Sequence, residues 1–128
     1  QTFKNYLESY KYTIENPKFG ATVKSLYKNS SNPIQIAESV FIDSLVNKGT
    51  SLITFFGHSA TSTLDFNLEP ERFTNKGRYH LLLTNGCFVG NLFSNTYGYS
   101  DRFVLTPDKA AIGFLGPITL AVAPILNN

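Results

Sequence analysis

Three short runs of nearly unbroken apolar residues constrain what this 128-residue chain can fold into. They are Leu52-Ile53-Thr54-Phe55-Phe56-Gly57, His80-Leu81-Leu82-Leu83-Thr84-Asn85-Gly86 and Lys109-Ala110-Ala111-Ile112-Gly113-Phe114-Leu115. Each is too short for a buried helix and too continuous for the alternation of a half-solvated strand. Runs of this kind read as strands covered on both faces, the pattern of a parallel sheet whose C-terminal ends open onto a ligand crevice. Two of them end on residues with chemistry. The first runs into His58-Ser59, and the second into Cys87, the only cysteine of the chain. Such a sheet delivers an imidazole from one strand and a thiol from its neighbour to the same rim.

The segments around these runs carry helical signals. Phe3, Tyr6, Leu7, Tyr10 and Ile14 recur at helical spacing, and Pro17 ends that element. A shorter helix is predicted over Ala21 to Tyr27, with Val23, Leu26 and Tyr27 inward. Asn32 as N-cap, Pro33 at the first helical position and Gly49 just past the end bracket a further helix. It is expected to pack on the sheet through Ile36, Val40 and Phe41, with Gln35, Glu38, Asp43 and Lys48 facing water. Ser59 to Arg78, interrupted by Pro70, reads as irregular, and Tyr99 to Leu105 as a short helix capped by Ser100. Helix, strand, crossover, strand, helix, strand is α/β order. Three strands make a narrow sheet, so the chain reads as an excised fragment of a larger protein that supplies more of it, with residues 1–31 as a helical lead-in.

Composition removes several function classes. Hydrophobic residues at 42% and charged residues at 16% exclude a disordered tail, and no apolar run is long enough to span a membrane. A formal charge of +2 with scattered Lys and Arg gives a nucleic-acid partner no electrostatic support. The glycines form no phosphate-cradling loop. One Cys and two separated His give no closed tetrahedral set for a metal, and no cofactor is expected.

The blocks "SLITFFGHS", "HLLLTNGCFVGNLF" and "SDRFVLTPDKAAIGFLG", in that order, resemble the C-terminal half of the catalytic domain of gingipain-like cysteine peptidases, over roughly residues 32–118. The resemblance implies a caspase-like, mostly parallel sheet flanked by helices. It implies a cysteine endopeptidase with a polypeptide substrate, from a bacterial protein that is extracellular or at the cell surface, of the kind exported by type IX secretion, with other domains in the parent. His58 matches the family's catalytic His and Cys87 its nucleophile. The backbone N–H groups of Ser59 and Cys87 would form the oxyanion hole. The family usually has Gly directly after the His, and here Ser59 stands there.

These residue types suit acyl transfer. Only a few per cent of a free thiol is thiolate at neutral pH, and a neighbouring imidazole raises that fraction and later protonates the leaving amine. Asp65, Asp101 and Asp108 are the candidates within the chain for a group that orients the imidazole, unless upstream sequence supplies it. Asp65, in the loop after His58, reads either as a substrate contact or as ordinary loop chemistry. Gly116, Pro117 and Ile118 follow the third run, where the family builds a wall of its primary specificity pocket, and nothing acidic there supports a preference for basic residues. His80 starts its strand and so belongs to the opposite rim. Phe88, Phe93, Tyr97 and Tyr99 read as packing residues. The alternative function is a lapsed peptidase fold serving as a surface binding or scaffold module, to which Ser59 points.

Overall fold

The computed structural model describes residues 2–28, 36–60, 63–66, 68–93 and 97–121. Asn32, Pro33, Gln35 and the side chains of Ile36 and Glu38 lie outside that description. The chain divides into two compact units, Gln1–Ser31 and Asn32–Asn128.

In the first unit, α1 (Thr2–Ile14) half-buries Tyr6, Leu7, Tyr10 and Ile14 along one stripe. The helix predicted over Ala21 to Tyr27 does not form. Gly20, at a φ of 73°, turns the chain, which runs back along α1. The Ala21 N–H donates to Ile14 O (3.3 Å) and the Val23 N–H to the Glu15 carboxylate (2.7 Å). Tyr27 donates its hydroxyl proton to Glu8 and lies under the Lys4 ammonium, 4.8 Å from the ring centre. These N–H groups bond to α1, and the β-branched Thr22 and Val23 favour the extended form.

The second unit contains α2 (Ile36–Gly49), β1 (Leu52–Phe55), β2 (Ser59–Ala60), β3 (Thr63–Leu64), a 3₁₀ turn at Pro70–Arg72, β4 (His80–Thr84), α3 (Tyr99–Leu105) and β5 (Ala111–Leu115). The three apolar runs form one parallel sheet in the order β1-β4-β5, as expected. Leu52 lies beside Leu81 and Phe55 beside Thr84, and a register irregularity at His80/Leu81 lets Ile112 bulge out of β5. One sheet face carries Ile53, Phe55, His80, Leu82, Thr84 and Phe114. Both α2 and α3 pack on it, through Val46 and Ile42 from one helix and Tyr99 and Phe103 from the other. The other face differs from the expectation of full cover: Leu52, Leu81 and Leu115 are exposed there.

The inward stripe of α2 also differs. Val40 is 64% and Phe41 45% exposed, whereas Ser39 and Val46 are buried and Ile42 joins the core. Apolar residues surround this helix, and the stripe Ser39, Ile42, Val46 keeps the i, i+3, i+7 spacing that a single face requires. Asp43 does not simply face water but takes the Arg72 guanidinium in two hydrogen bonds of 2.8 and 3.2 Å. The N-terminus of α3 is capped by the Asp101 carboxylate, which accepts the Gly98 N–H at 2.9 Å, while Ser100 is buried. Arg102 of α3 in turn bridges Glu69 and Glu71, and the Glu71 carboxyl is held below its ordinary range by that guanidinium.

A buried brace sets the start of β5. Asn75 accepts the Ala110 N–H (2.8 Å) and donates to the carbonyls of Ala110 (2.9 Å) and Arg78 (3.0 Å). It thereby holds Ala110 in the left-handed region, at a φ of 66°.

Candidate active site

The polarity of the sheet decides what meets at its C-terminal rim. β1 and β4 end in register, and the Asn85 N–H to Phe55 O bond (2.9 Å) carries the pairing one step beyond Thr84. His58 and Cys87 each follow three residues after the last paired residue of their strands, so both leave the sheet on the same side. His58 is exposed and Cys87 half-buried. The two segments are joined directly, because Ser59 donates its hydroxyl proton to the carbonyl of Cys87 at 2.8 Å.

After His58 the chain forms a small hairpin, β2 against β3, within the stretch expected to be irregular. The Asp65 N–H donates to His58 O (3.2 Å), so Ser59 and Leu64 face each other as a non-hydrogen-bonded pair of the ladder. At such a pair the backbone N–H points away from the partner strand, which leaves the Ser59 N–H directed outward from the hairpin. Asp65 is half-buried and adjoins His58 through this backbone bond. The other carboxylates named from the sequence are engaged elsewhere. Asp101 caps α3, and Asp108 pairs with Lys76 (2.7 Å) beside the start of β5.

The turn that carries Cys87 is tight. Phe88 has a φ of 57°, a left-handed conformation that costs a non-glycine residue about 1–2 kcal/mol. It is held by the segment following β5. The Phe88 N–H donates to Thr119 O (2.9 Å), the Gly90 N–H to Pro117 O (3.0 Å), and the Ala121 N–H to Cys87 Sγ (3.4 Å). Gly116, Pro117 and Ile118 therefore pass alongside the cysteine turn. Gly116 is packed against Thr84 and Val89, leaving no room for a side chain, while Ile118 is exposed.

Asn85-Gly86 before Cys87 carries a turn signature in the sequence, readable as the bend that exposes the thiol or as a plain strand end, but the steric role of Gly86 shows only in the structure. A Cβ added there would fall 2.6 Å from Ser59 Cβ and closer still to Ser59 Oγ. Atoms do not approach this closely, so the contact between the two loops depends on glycine at this position. Ala121 has no signal in the sequence, being an ordinary residue that acts through its backbone. Of the aromatic residues read as packing, Tyr99 is in the core, where its hydroxyl donates to Leu68 O at 2.5 Å, but Phe93 and Tyr97 are exposed and Phe88 partly so.

His80 lies at the other end of the sheet. It is fully buried, with the rings of Phe73 and Phe103 edge-on at 6.0 and 6.3 Å, and burial lowers its pKa to about 4. It is a neutral core residue at neutral pH. Among the described residues no group of three His, Cys, Asp or Glu comes together to hold a metal ion, and no helix is long and apolar enough to cross a membrane.

No curated protein and no solved structure matches the chain. The model of peptidase family C25 matches residues 1–128, the whole chain, and the chain belongs to that family, the gingipain family of cysteine peptidases.

Proposed function

We propose that this domain is a cysteine endopeptidase in which Cys87 is the nucleophile and His58 its base. The observation that carries the reading is the Ser59 hydroxyl to Cys87 carbonyl bond at the rim of two strands paired in register, which brings the two loops into contact. Membership of family C25 supports the reaction class. Cys87 Sγ attacks the substrate carbonyl carbon, forming a C–S bond, and its proton passes to the His58 imidazole. The tetrahedral oxyanion is held by the backbone N–H groups of Ser59 and Cys87, each worth on the order of 10²–10³ in rate. As the C–N bond breaks, His58 delivers the proton to the leaving amine. Water then attacks the thioester carbon with His58 taking its proton, and the thiol is released.

Asp65, Gly116, Pro117 and Ile118 would line the substrate groove, Asp65 from the hairpin beside His58 and the others from the segment beside Cys87. The substrate is a polypeptide, and the protein acts outside the cell or at a bacterial cell surface, as a protein exported by type IX secretion and built with other domains.

The test is hydrolysis of fluorescently labelled casein by the full-length protein. Cys87→Ala and His58→Ala should each abolish it. Retained turnover in Cys87→Ala would end the reading. A wild-type protein that folds but cleaves nothing would favour the lapsed, scaffold-type alternative, for which Ser59 in place of the usual glycine is the relevant observation.

A further inference from the structure

We propose that Ser59 is a positioning residue of this site and that Gly86 is its steric counterpart, the two forming one coupled device that sets the nucleophile turn. The proposal rests on the reading of Cys87 as nucleophile.

Consider the peptide plane between Cys87 and Phe88. Its oxygen accepts the Ser59 hydroxyl proton at 2.8 Å, and its N–H donates to Thr119 O at 2.9 Å. Both ends of one rigid plane are thereby fixed, from two different strands' loops. That plane is next to the strained φ of Phe88, a conformation that persists only where the surroundings over-determine it. Ser59 is thus one of two anchors that hold the backbone of Cys87, and through it the direction of the thiol. It also follows His58 directly, so the same hydroxyl fixes the imidazole-bearing loop against the thiol-bearing one.

The steric side is as specific. The space next to Gly86 is filled by Ser59 Oγ and Cβ, and the next atom, on the Phe55 ring, stands at 3.4 Å, an ordinary contact. A side chain on residue 59 therefore requires the absence of one on residue 86. Remove the Ser59 side chain, and an alanine at 86 fits.

The experiment is a cycle of Ser59→Gly, Gly86→Ala and the double variant, with Ser59→Ala and Ser59→Thr, made in the full-length protein. Two readouts are taken: casein hydrolysis, and the rate at which iodoacetamide alkylates Cys87 at pH 7, followed by mass on the Cys87 peptide. Ser59→Ala, which loses the hydrogen bond alone, should lower kcat about tenfold with KM little changed, as expected for a bond worth about 1–1.5 kcal/mol. Ser59→Thr, which keeps the hydroxyl, should recover most of it. Gly86→Ala should lose at least a hundredfold or fail to fold. Placing Gly86→Ala in the Ser59→Gly background should cost no more than about threefold relative to Ser59→Gly, because the colliding atoms are gone. Gly86→Ala equally damaging in both backgrounds, or Ser59→Ala without effect on either readout, would overturn the proposal. Alkylation needs no substrate and therefore separates the two failures. Strong coupling in alkylation with no hydrolysis by any variant would sink the peptidase reading and keep the device, whereas hydrolysis with additive effects would do the reverse.

Discussion

His80 should make this domain acid-labile, and the size of the effect can be worked out. Its imidazole is fully buried between Phe73 and Phe103, neither ring nitrogen has a hydrogen-bond partner among the described residues, and burial alone lowers the pKa from 6.5 to about 4. Between those two values the unfolded chain binds a proton that the folded one refuses. Stability from this residue is therefore complete above pH 6.5, falls as the pH drops toward 4, and reaches a plateau below it. The loss follows RT ln[(1 + 10^(6.5−pH))/(1 + 10^(4−pH))], which is negligible at pH 7.5, on the order of 1 kcal/mol at pH 5.5 and about 3 kcal/mol at pH 4. Carboxylates add their own acid sensitivity. Glu71, its pKa lowered chiefly by its hydrogen bond to Arg102, loses its contribution as pH falls. The comparison must therefore be differential. His80→Leu keeps the volume roughly constant and removes the titration, while Glu71 and its like cancel between the two proteins. Urea melts of both, followed by far-ultraviolet circular dichroism from pH 7.5 to the lowest pH at which both remain folded, should diverge in favour of His80→Leu by the amounts above. Parallel stability curves would show that the imidazole finds solvent or a partner when charged, and the buried, neutral assignment would be wrong.

Other consequences can be read in the same melts at neutral pH. Asn75→Ala removes the partner of the buried Ala110 N–H and should cost about 1–3 kcal/mol, and Asn75→Asp should recover none of it, because a carboxylate oxygen would then face the carbonyls of Ala110 and Arg78 that the amide nitrogen serves. Phe55→Ala and Leu82→Ala, in the core beneath the helices, should cost roughly 3–5 and 2–5 kcal/mol, whereas Cys87→Ala, half-buried at the rim, should cost much less; equal losses would place the thiol in the core instead of the site.

The sheet was legible in the sequence because its strands are almost wholly apolar, and continuous apolar runs leave few alternatives. α2 was legible as a helix but not in its orientation. Val40 and Phe41 are as hydrophobic as Ile42 and Val46, so hydrophobicity alone could not choose the stripe, and a buried Ser39 ran against it. The hairpin after His58 has strands of two residues, too short to express any period. Ala21 to Tyr27 shows helical spacing, yet its Ala21 and Val23 N–H groups bond to Ile14 and Glu15 at the end of α1, a preference that spacing does not encode. At the candidate site, His58 and Cys87 could be found as the ends of runs. The fit of Ser59 against Gly86 could not, since it exists only once β1 and β4 are side by side. Asn75 lies in the stretch read as irregular, and nothing local marks its bonds to Ala110 far along the chain.

Parallel pairing also explains why the chain's two histidines have such different characters. In an antiparallel pair the end of one strand lies beside the start of the next, and a strand-initial imidazole could share a rim with a strand-final one. Here β1 and β4 run the same way, so His80, at the first residue of β4, is separated from the rim by the length of the strand. Four residue steps to Thr84 amount to about 13 Å. Over that distance the surroundings change from the aromatic cluster of Phe73 and Phe103, which keeps an imidazole neutral, to an exposed rim where His58 meets water. His80 therefore cannot stand in for His58 as the proposed partner of Cys87 without reversing a strand. In a His58→Ala protein, the residual alkylation rate of Cys87 should be the same whether residue 80 is His or Leu. A further drop on His80→Leu would mean that the buried imidazole reaches the thiol, which this topology forbids.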